Sequence, residues 1–354
     1  PSPRPSTPDA RMAGAEEELV VDASGEGAKA IEDEWVAQTD VVELCLMFNR
    51  IARIEKLERL TGLRRLNLRA NRITEICGLS TCTGLQELEL YENQIQKLEG
   101  LEGLSSLTVL DVSYNKIKRI EGLQGSGLVS LKKLFLAQNE ITLIEGLEGL
   151  PALRLLELGS NKLRKIPDMK FLEGLEELHL GRNKISDVSG LAGLSSLRVL
   201  GLASNRLTSF KGIETLCALR ELYADHNGIE RMAELASLSE LHTLELSANR
   251  LRVVDCAGFS SLEELWLNAN PIQDVDAIGE LVALKKLKTL YLEGCPVSKL
   301  EAYRSIVLAL VPGLQQLDAD MVERLKTAVG IVTGTRHRDE GEPENPDPKR
   351  QART

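Results

Sequence analysis

Leucine and isoleucine recur along this chain with a period of 22 residues over most of its length. Each period contains a segment of the form L-x-x-L-x-L-x-x-N-x-I, whose alternation of apolar and polar positions is typical of a short β-strand with one buried face. Twelve successive segments fit this form, from VVELCLMFNRI at Val41 to LKTLYLEGCPV ending at Val297. The pattern predicts twelve equivalent strands joined by similar turns.

The ninth position of the segment is asparagine in every period except the last. In chain order these residues are Asn49, Asn71, Asn93, Asn115, Asn139, Asn161, Asn183, Asn205, Asn227, Asn249, Asn270 and Cys295. An amide repeated after each strand can satisfy backbone groups of neighbouring turns, and a buried backbone group without a partner is costly. These residues, the ladder asparagines, are therefore predicted to be structural and not catalytic.

Repetition at this spacing is the signature of leucine-rich repeats, in which successive strands stack about 4.8 Å apart. The half-period between strands is too short for a long helix. We predict an α/β solenoid, a curved leucine-rich-repeat array of about twelve 22-residue repeats with a parallel concave β-sheet and short convex 3₁₀ or helical turns. Because the ends of such an array would expose leucine layers, both ends are predicted to be capped.

The repeats place the solenoid at residues 41–297, and the flanking segments 26–40 and 298–329 are predicted to be the N-terminal and C-terminal caps. Residues 1–25 and 330–354 are polar and rich in proline, which predicts two disordered tails.

Aromatic side chains in the caps fit that role. Trp35 lies in the N-terminal cap, and Tyr303 lies among helix-spaced aliphatic residues in the C-terminal cap. Met12 is a candidate for the natural first residue, an expectation that the intact mass of the native protein would check.

The outward positions of the strands are where a binding surface is expected, because the core does not dictate what occupies them. The central outward positions are Cys45, Asn67, Glu89, Asp111, Phe135, Glu157, His179, Gly201, Tyr223, Glu245, Trp266 and Tyr291. Four of the twelve aromatic residues of the chain lie in this series, where packing requires none. Aromatic residues ringed by polar neighbours are the usual anchors of protein interfaces, so this series predicts protein binding.

The predicted partner-binding residues combine these aromatics with nearby polar groups. They are Asp111, Phe135, Glu157, His179, Tyr223, Glu245, Glu264, Trp266 and Tyr291. The alternatives are that isolated aromatics are ordinary surface residues, or stack on one another across strands, and that the acids only keep the sheet soluble.

Composition narrows the class of function. The net charge of −10 and the pI near 5.2 argue against direct binding of nucleic acid, which requires a basic surface. No apolar run is long enough to span a bilayer, and no signal peptide precedes the repeats, so we expect no membrane contact and an intracellular location. The six cysteines lack C-x-x-C spacing and are expected to be reduced thiols, with no metal site.

Catalysis has little support in the sequence. The four histidines occur without a metalloprotease, phosphate-loop or nucleophile-elbow motif, and an exposed histidine beside a glutamate is more often a surface pair than a general base. We predict a protein-binding scaffold that is not an enzyme and uses no cofactor. A capped solenoid has no need to self-associate, so a monomer is expected.

Several strand phrases resemble the protein phosphatase 1 regulatory subunit 7 family. They are LDVSYNKIKRIEGL, LKKLFLAQNEI and LRLLELGSNKL, followed by the ending TLYLEGCPV and YRSIVLALVPGLQQLDADMV. The resemblance covers residues about 41 to 322 and includes the lengthened repeat between Asn270 and Cys295.

The resemblance implies a scaffold of the nucleus and cytoplasm whose concave face grips the catalytic subunit of protein phosphatase 1. It implies contact roles for Asp111, Phe135, Glu157, Glu245, Glu264, Trp266 and Tyr291. At His179 the family commonly has an aromatic residue instead. The alternative function is a leucine-rich-repeat adaptor in ciliary, axonemal or ribonucleoprotein assembly, since one fold supports many functions.

Overall fold

The leucines of each L-x-L core lie inside a stack of equivalent turns in the computed structural model, which describes residues 18–323. Leu110 and Leu156, for example, are fully buried, whereas the residues on either side of them are half-buried. The burial therefore follows the alternation expected of a strand with one face on the core.

Fifteen strands form one sheet in which each strand pairs with its neighbours in the chain, in parallel except for the last pair. They are β1 (Leu19–Asp22), β2 (Val41–Cys45), β3 (Arg65–Asn67), β4 (Glu87–Glu89), β5 (Val109–Asp111), β6 (Lys133–Phe135), β7 (Leu155–Glu157), β8 (Glu177–His179), β9 (Val199–Gly201), β10 (Glu221–Tyr223), β11 (Thr243–Glu245), β12 (Glu264–Trp266), β13 (Thr289–Tyr291), β14 (Gln316–Leu317) and β15 (Asp320–Met321). The twelve strands β2–β13 are those predicted from the repeat, so the leucine-rich-repeat solenoid is confirmed.

The segments between strands contain turns and short helices. The 3₁₀ helices are Asp33–Val36, Lys170–Leu172, Ser189–Leu191, Ala233–Leu235, Asp276–Ala283 and Pro296–Lys299, and the α-helix is α1 (Tyr303–Leu310). The longest of the 3₁₀ helices, Asp276–Ala283, occupies the lengthened repeat between Asn270 and Cys295. The extra residues are therefore taken up outside the sheet, and the strands keep their register.

The ladder asparagines connect neighbouring repeats through backbone groups. Asn161 is representative: its Nδ2 donates to the carbonyl oxygens of Leu136 at 2.9 Å and Leu158 at 3.0 Å, and its Oδ1 accepts from the amide of Ile141 at 2.9 Å. At the final position Cys295 retains one of these contacts, from its Sγ to the carbonyl oxygen of Leu267 at 3.2 Å. The predicted structural role of the ladder is seen directly in these bonds.

At the N-terminus the structure differs from the predicted tail of residues 1–25. Strand β1 pairs in parallel with β2, and its Leu19 and Val21 pack against the core. Apolar residues at alternate positions let this segment cover the open edge of β2, which would otherwise present unpaired backbone groups. The N-terminal cap thus begins at β1 as well as including Trp35, which also packs against the core. The other predicted tail residues, 1–17 and 330–354, lie outside the described residues.

The C-terminal cap closes the last leucine layer with α1 and a partly buried hydrogen-bond network. Tyr303 at the start of α1 is buried, and its hydroxyl donates to Oδ2 of Asp318 at 3.0 Å. The other carboxylate oxygen of Asp318 accepts the amides of Leu292 at 2.7 Å and Glu293 at 2.8 Å. Asp318 therefore accepts backbone hydrogen bonds next to the last repeat strand, β13, as the ladder asparagines do in the earlier repeats.

Replacing Asp318 with alanine is expected to lower the free energy of unfolding by about 2–4 kcal/mol, because it leaves the Tyr303 hydroxyl and the Leu292 amide without their acceptor. Chemical denaturation measures this loss. Asp318→Asn keeps an acceptor oxygen and tolerates the left-handed backbone at this position, where φ is 52°. Equal losses for the two variants would contradict the assigned role of the carboxylate oxygens.

Candidate functional site

Four of the predicted binding residues lie on adjacent strands in the middle of the concave face. The sheet register pairs Asp111 with Phe135, Phe135 with Glu157, and Glu157 with His179. These four residues, the N-terminal cluster, form one row across β5–β8 because each is the last residue of its strand. The parallel register keeps them in line, although Asp111 and Phe135 are 24 residues apart and the others 22.

The other five predicted residues form a second row on β10–β13. The register pairs Tyr223 with Glu245, Glu245 with Trp266, and Trp266 with Tyr291, while Glu264 lies two residues before Trp266 on the same strand. These five residues are the C-terminal cluster. All nine predicted residues therefore share one wall of the solenoid.

Gly201 separates the two clusters. It is the residue of β9 that pairs with His179 on one side and Tyr223 on the other. A Cβ atom at this position would lie 3.1 Å from Nδ1 of His179, so a larger residue would crowd the imidazole. The absence of a side chain at Gly201 leaves open space beside the His179 ring and Tyr223, and these three residues line one depression.

The C-terminal cluster surrounds a depression of about 630 Å³. It is lined by Tyr223, Asp225, His226, Glu245, Ser247, Trp266, Asn268 and Tyr291. The rings of Trp266 and Tyr291 meet edge to face, with centroids 5.9 Å apart and an interplanar angle of 66°, a favoured aromatic arrangement. Nε1 of Trp266 is buried and has no hydrogen-bond partner within the described residues. The cluster thus combines two packed aromatic rings with one N–H donor, Nε1 of Trp266, that forms no hydrogen bond within the described residues.

The hydroxyl groups of both tyrosines in this cluster form hydrogen bonds with polar side chains. Nε2 of Gln316 donates to the Tyr291 hydroxyl, which ties the site to β14 of the C-terminal cap. The Tyr223 hydroxyl donates to Oε2 of Glu221 at 2.8 Å. Burial, together with this carboxylate, raises the pKa of Tyr223 to about 12. The phenol therefore stays neutral and acts as a donor at physiological pH.

Each cluster contains a carboxylate held away from water. Glu245 is only 8% exposed, and its Oε1 accepts from the amide of Ser247 at 2.9 Å. Glu157 accepts from the amide of Gly159 in the same way. Burial raises the pKa of both carboxyl groups above the ordinary value. Their charged forms are therefore less stable here than in water, and a cationic partner group would stabilise them.

Glu245→Gln is expected to raise the free energy of unfolding at neutral pH. A carboxyl group whose pKa is higher in the folded than in the unfolded protein destabilises the fold when it is ionised, and has no such effect below its unfolded pKa. The glutamine can keep the hydrogen bond from Ser247. Its advantage should therefore be largest above the folded pKa and vanish as the pH falls below about 4, measured by thermal unfolding across pH.

The control for this prediction is Glu214→Gln. Glu214 is an exposed glutamate outside the strands. An equal pH-dependent gain in both variants would show that burial at Glu245 is not the cause.

The N-terminal cluster lines a second depression of about 720 Å³, together with residues that the sequence analysis did not select. Tyr91 and Tyr114 stack with centroids 4.7 Å apart, and Cζ of Arg69 lies 4.2 Å from the centre of the Tyr91 ring. These residues follow their strands and lie one or two positions before a ladder asparagine. The feature of the sequence that marks these residues is a large side chain in the turn between a strand and its ladder asparagine.

Two histidines of the concave face lie beside acidic side chains. Nε2 of His179 lies 3.8 Å from Oε2 of Glu177, and Nδ1 of His226 lies 2.8 Å from Oδ2 of Asp225. Neither histidine is placed against a serine, threonine or cysteine nucleophile by any hydrogen bond of the described residues. These are the surface pairs expected from the sequence.

Between residues 18 and 323, no set of three or more histidine, cysteine, aspartate or glutamate side chains is arranged to hold a metal ion. Within the same range, every helix is too short or too polar to cross a bilayer.

Models of known families match most of the repeat array. The model described as "Leucine rich repeat" matches residues 61–117, 105–163, 156–207 and 173–229, and the model described as "Leucine Rich repeats (2 copies)" matches residues 260–305. Together these matches cover more than half of the chain.

Two relatives are regulatory subunits of protein phosphatase 1. "Protein phosphatase 1 regulatory subunit SDS22" of Schizosaccharomyces pombe is 39% identical over 71 residues, which are 19% of this chain and 21% of that protein. "Protein phosphatase 1 regulatory subunit pprA" of Dictyostelium discoideum is 41% identical over 63 residues, 18% of each chain. The matched segments span about a fifth of each relative. Within them, the predicted resemblance to phosphatase 1 regulatory subunits is confirmed.

Solved structures share the fold. An internalin (inlF) of Listeria monocytogenes has a TM-score of 0.64 at 24% identity, covering 86% of this chain and 88% of the internalin. A leucine-rich-repeat protein of Leptospira interrogans has a TM-score of 0.66 at 24% identity, covering 82% of this chain and 81% of that protein. At this level of identity the likeness concerns the fold alone.

Proposed function

This chain belongs to the leucine-rich-repeat proteins, and from that premise we propose that it is a scaffold that holds the catalytic subunit of protein phosphatase 1 on its concave face. Leucine-rich repeats are a binding fold, and the two relatives named above are regulatory subunits. The proposed role is regulatory and requires no catalysis by this chain.

The observation that carries the proposal is the C-terminal cluster. It places a tryptophan, two tyrosines and Glu245 on adjacent strands around one depression, with Glu264 two residues before Trp266. Buried aromatic residues ringed by polar groups are the usual hot spots of protein interfaces. Isolated surface aromatics would have no reason to converge in this way.

The charges of the concave face support a basic partner surface. The central outward positions, together with the positions two residues earlier on the same strands, contain nine acids and two bases. Glu157 and Glu245 are held partly dehydrated, so that a lysine or arginine of the partner would gain more from pairing with them than with carboxylates in water. Complementary charge of this kind speeds association and selects among partners.

The proposal is tested by capture of partners from native extract with the full chain. Protein phosphatase 1 catalytic subunit is expected as the dominant partner, and the purified subunit should bind the purified chain directly. A dominant set of tubulin-associated or ribonucleoprotein components, with no direct phosphatase binding, would reject the proposal in favour of the adaptor alternative. Mass spectrometry of the captured proteins separates these outcomes.

A further inference from the structure

Basic residues concentrate in a part of each repeat that the phosphatase proposal does not use. The chain leaves each ladder asparagine and turns away from the sheet, and the first, third and fourth residues after the asparagine are exposed or nearly so because the second and fifth enter the core. We call these positions in the eleven asparagine repeats the flank. They lie on one side of the solenoid, next to the acidic concave face.

The flank has the opposite charge to the chain as a whole. Its basic residues are Arg50, Arg53, Arg72, Lys97, Lys116, Lys118, Arg119, Lys162, Arg164, Lys165, Lys184, Arg206, Arg231, Arg250 and Arg252. Its acidic residues are Glu75, Glu140, Asp187, Glu230 and Asp274. The flank thus has ten more basic than acidic residues, in a chain whose net charge is −10.

Most of these cations have no ion-pair partner. Among the basic residues of the flank, salt bridges within residues 18–323 involve only Lys97, Arg119 and Lys162. Solubility alone is served by interspersed charges of both signs, and collecting one sign on one side adds self-repulsion. An unpaired basic surface of this size therefore calls for an anionic partner.

Backbone hydrogen bonds space the flank regularly from one repeat to the next. The amide of Lys184 donates to the carbonyl oxygen of Leu163 at 2.8 Å, and that of Arg206 donates to Ile185 at 2.8 Å. The same bond recurs between other successive repeats, so equivalent flank positions of neighbouring repeats lie about 5 Å apart. The line of cations is interrupted at the repeat of Asn139, whose flank consists of Glu140, Thr142 and Leu143. From Arg50 to Arg250 the line extends over about 45 Å.

We infer that the flank binds an extended acidic segment of a partner protein. A polypeptide of about 14 extended residues spans the same length. Single-stranded nucleic acid is less suited, because its binding sites provide aromatic platforms for bases, and no flank position is aromatic. A long polyanion would also meet the acidic concave face next to the flank, whereas a short acidic peptide can follow the line of cations.

The probe for this inference is a fluorescein-labelled peptide of about 14 residues with alternating glutamate and serine, titrated into the full chain and followed by anisotropy. Saturable binding is expected, although both molecules are acidic overall. Affinity should fall at least about tenfold between about 50 mM and about 300 mM salt, because exposed charges are screened. No saturable binding at low salt would overturn the inference.

A matched pair of variants locates the binding surface. Each replaces three lysines and one arginine with glutamine at exposed positions, so both change the net charge equally. The flank variant is Lys118→Gln, Arg164→Gln, Lys165→Gln and Lys184→Gln, and the control is Arg64→Gln, Lys132→Gln, Lys211→Gln and Lys286→Gln. The flank variant should lose at least about tenfold in affinity and the control less than about twofold. Equal losses would overturn the inference.

Other occupants give different results in the same assay. Tighter binding of a single-stranded oligothymidylate than of the acidic peptide would make the flank a nucleic-acid site and reject the inference. Peptide binding that appears only after Asp339, Glu340, Glu342 and Glu344 are neutralised would assign the flank to this chain's own acidic segment, and would also reject it.

The inference stands apart from the phosphatase proposal. The flank variant is expected to retain phosphatase capture, and replacement of Trp266 is expected to leave peptide binding unchanged. Failure of one proposal can therefore be recognised without failure of the other.

Discussion

Trp266→Ala is expected to weaken binding of the protein phosphatase 1 catalytic subunit by about thirtyfold or more. This follows from the loss of about 2 kcal/mol that truncating a buried interface anchor typically causes. Trp266 supplies the largest ring of the C-terminal cluster and its unpartnered Nε1 donor. Adding Glu264→Ala and Tyr291→Ala should weaken binding at least about a thousandfold and abolish co-purification. Surface plasmon resonance with the purified subunit measures each step.

The controls separate binding from folding. Phe171→Ala removes another exposed aromatic residue, in the 3₁₀ helix Lys170–Leu172 and away from the sheet, and should leave capture unchanged. Tyr291 accepts a hydrogen bond from Gln316, so its replacement also disturbs the cap, whereas Trp266→Ala does not break that bond. Undiminished capture by the triple variant, with intact thermal unfolding of Trp266→Ala, would refute the role of the cluster.

Asn161→Ala is expected to lower the free energy of unfolding by about 3–5 kcal/mol. The variant leaves the buried amide of Ile141 without an acceptor, at about 1–3 kcal/mol. It also removes two hydrogen bonds, worth about 0.5–1.5 kcal/mol each, to the carbonyl oxygens of Leu136 and Leu158, which keep their bonds from Asn139 and Asn183. In a repeat array each unit contacts only its neighbours, so this loss weakens the central interface between repeats. Urea denaturation monitored by circular dichroism measures the change.

Two variants bracket the effect. Asn161→Cys places at this position the residue that ends the ladder at Cys295, where the thiol still donates to a backbone carbonyl, and should lose less than Asn161→Ala. Asn67→Ala removes an outward asparagine whose Nδ2 contacts only Glu89 at 2.8 Å, and should change stability by less than about 1 kcal/mol. Similar losses at Asn67 and Asn161 would show that the ladder has no special importance.

The fold and the positions of both clusters were predictable because, in a repeat protein, contacts between residues far apart in the chain follow from their positions within one repeat. Strand alternation decides which residues face outward, and a constant period places equivalent residues side by side. Trp266 aligns with Tyr291 although 25 residues separate them instead of 22, because the extra residues lie outside the sheet, where the 3₁₀ helix Asp276–Ala283 forms. Whether the aligned residues bind a partner remains a prediction.

The features that the sequence did not predict lie outside the strands of the twelve repeats. β1 was assigned to a tail because it stands before the first repeat, yet it pairs with β2. Tyr91 and Tyr114 lie in turns, where the residue before each ladder asparagine adopts a left-handed backbone with φ of 53–58° from Phe48 to Ala269. That conformation sets the direction of the turn side chains, and no glycine marks it in the sequence.

The sequence by itself determined the solenoid, the ladder and the two outward rows, because all three depend only on spacing along the chain. The tertiary structure alone decided the bond from Gln316 to Tyr291, the dehydration of Glu157 and Glu245, and the closure of the last layer by Asp318. Those features depend on distances between residues of different repeats or of the caps, and on how much water the surrounding atoms exclude. A repeat pattern specifies neither.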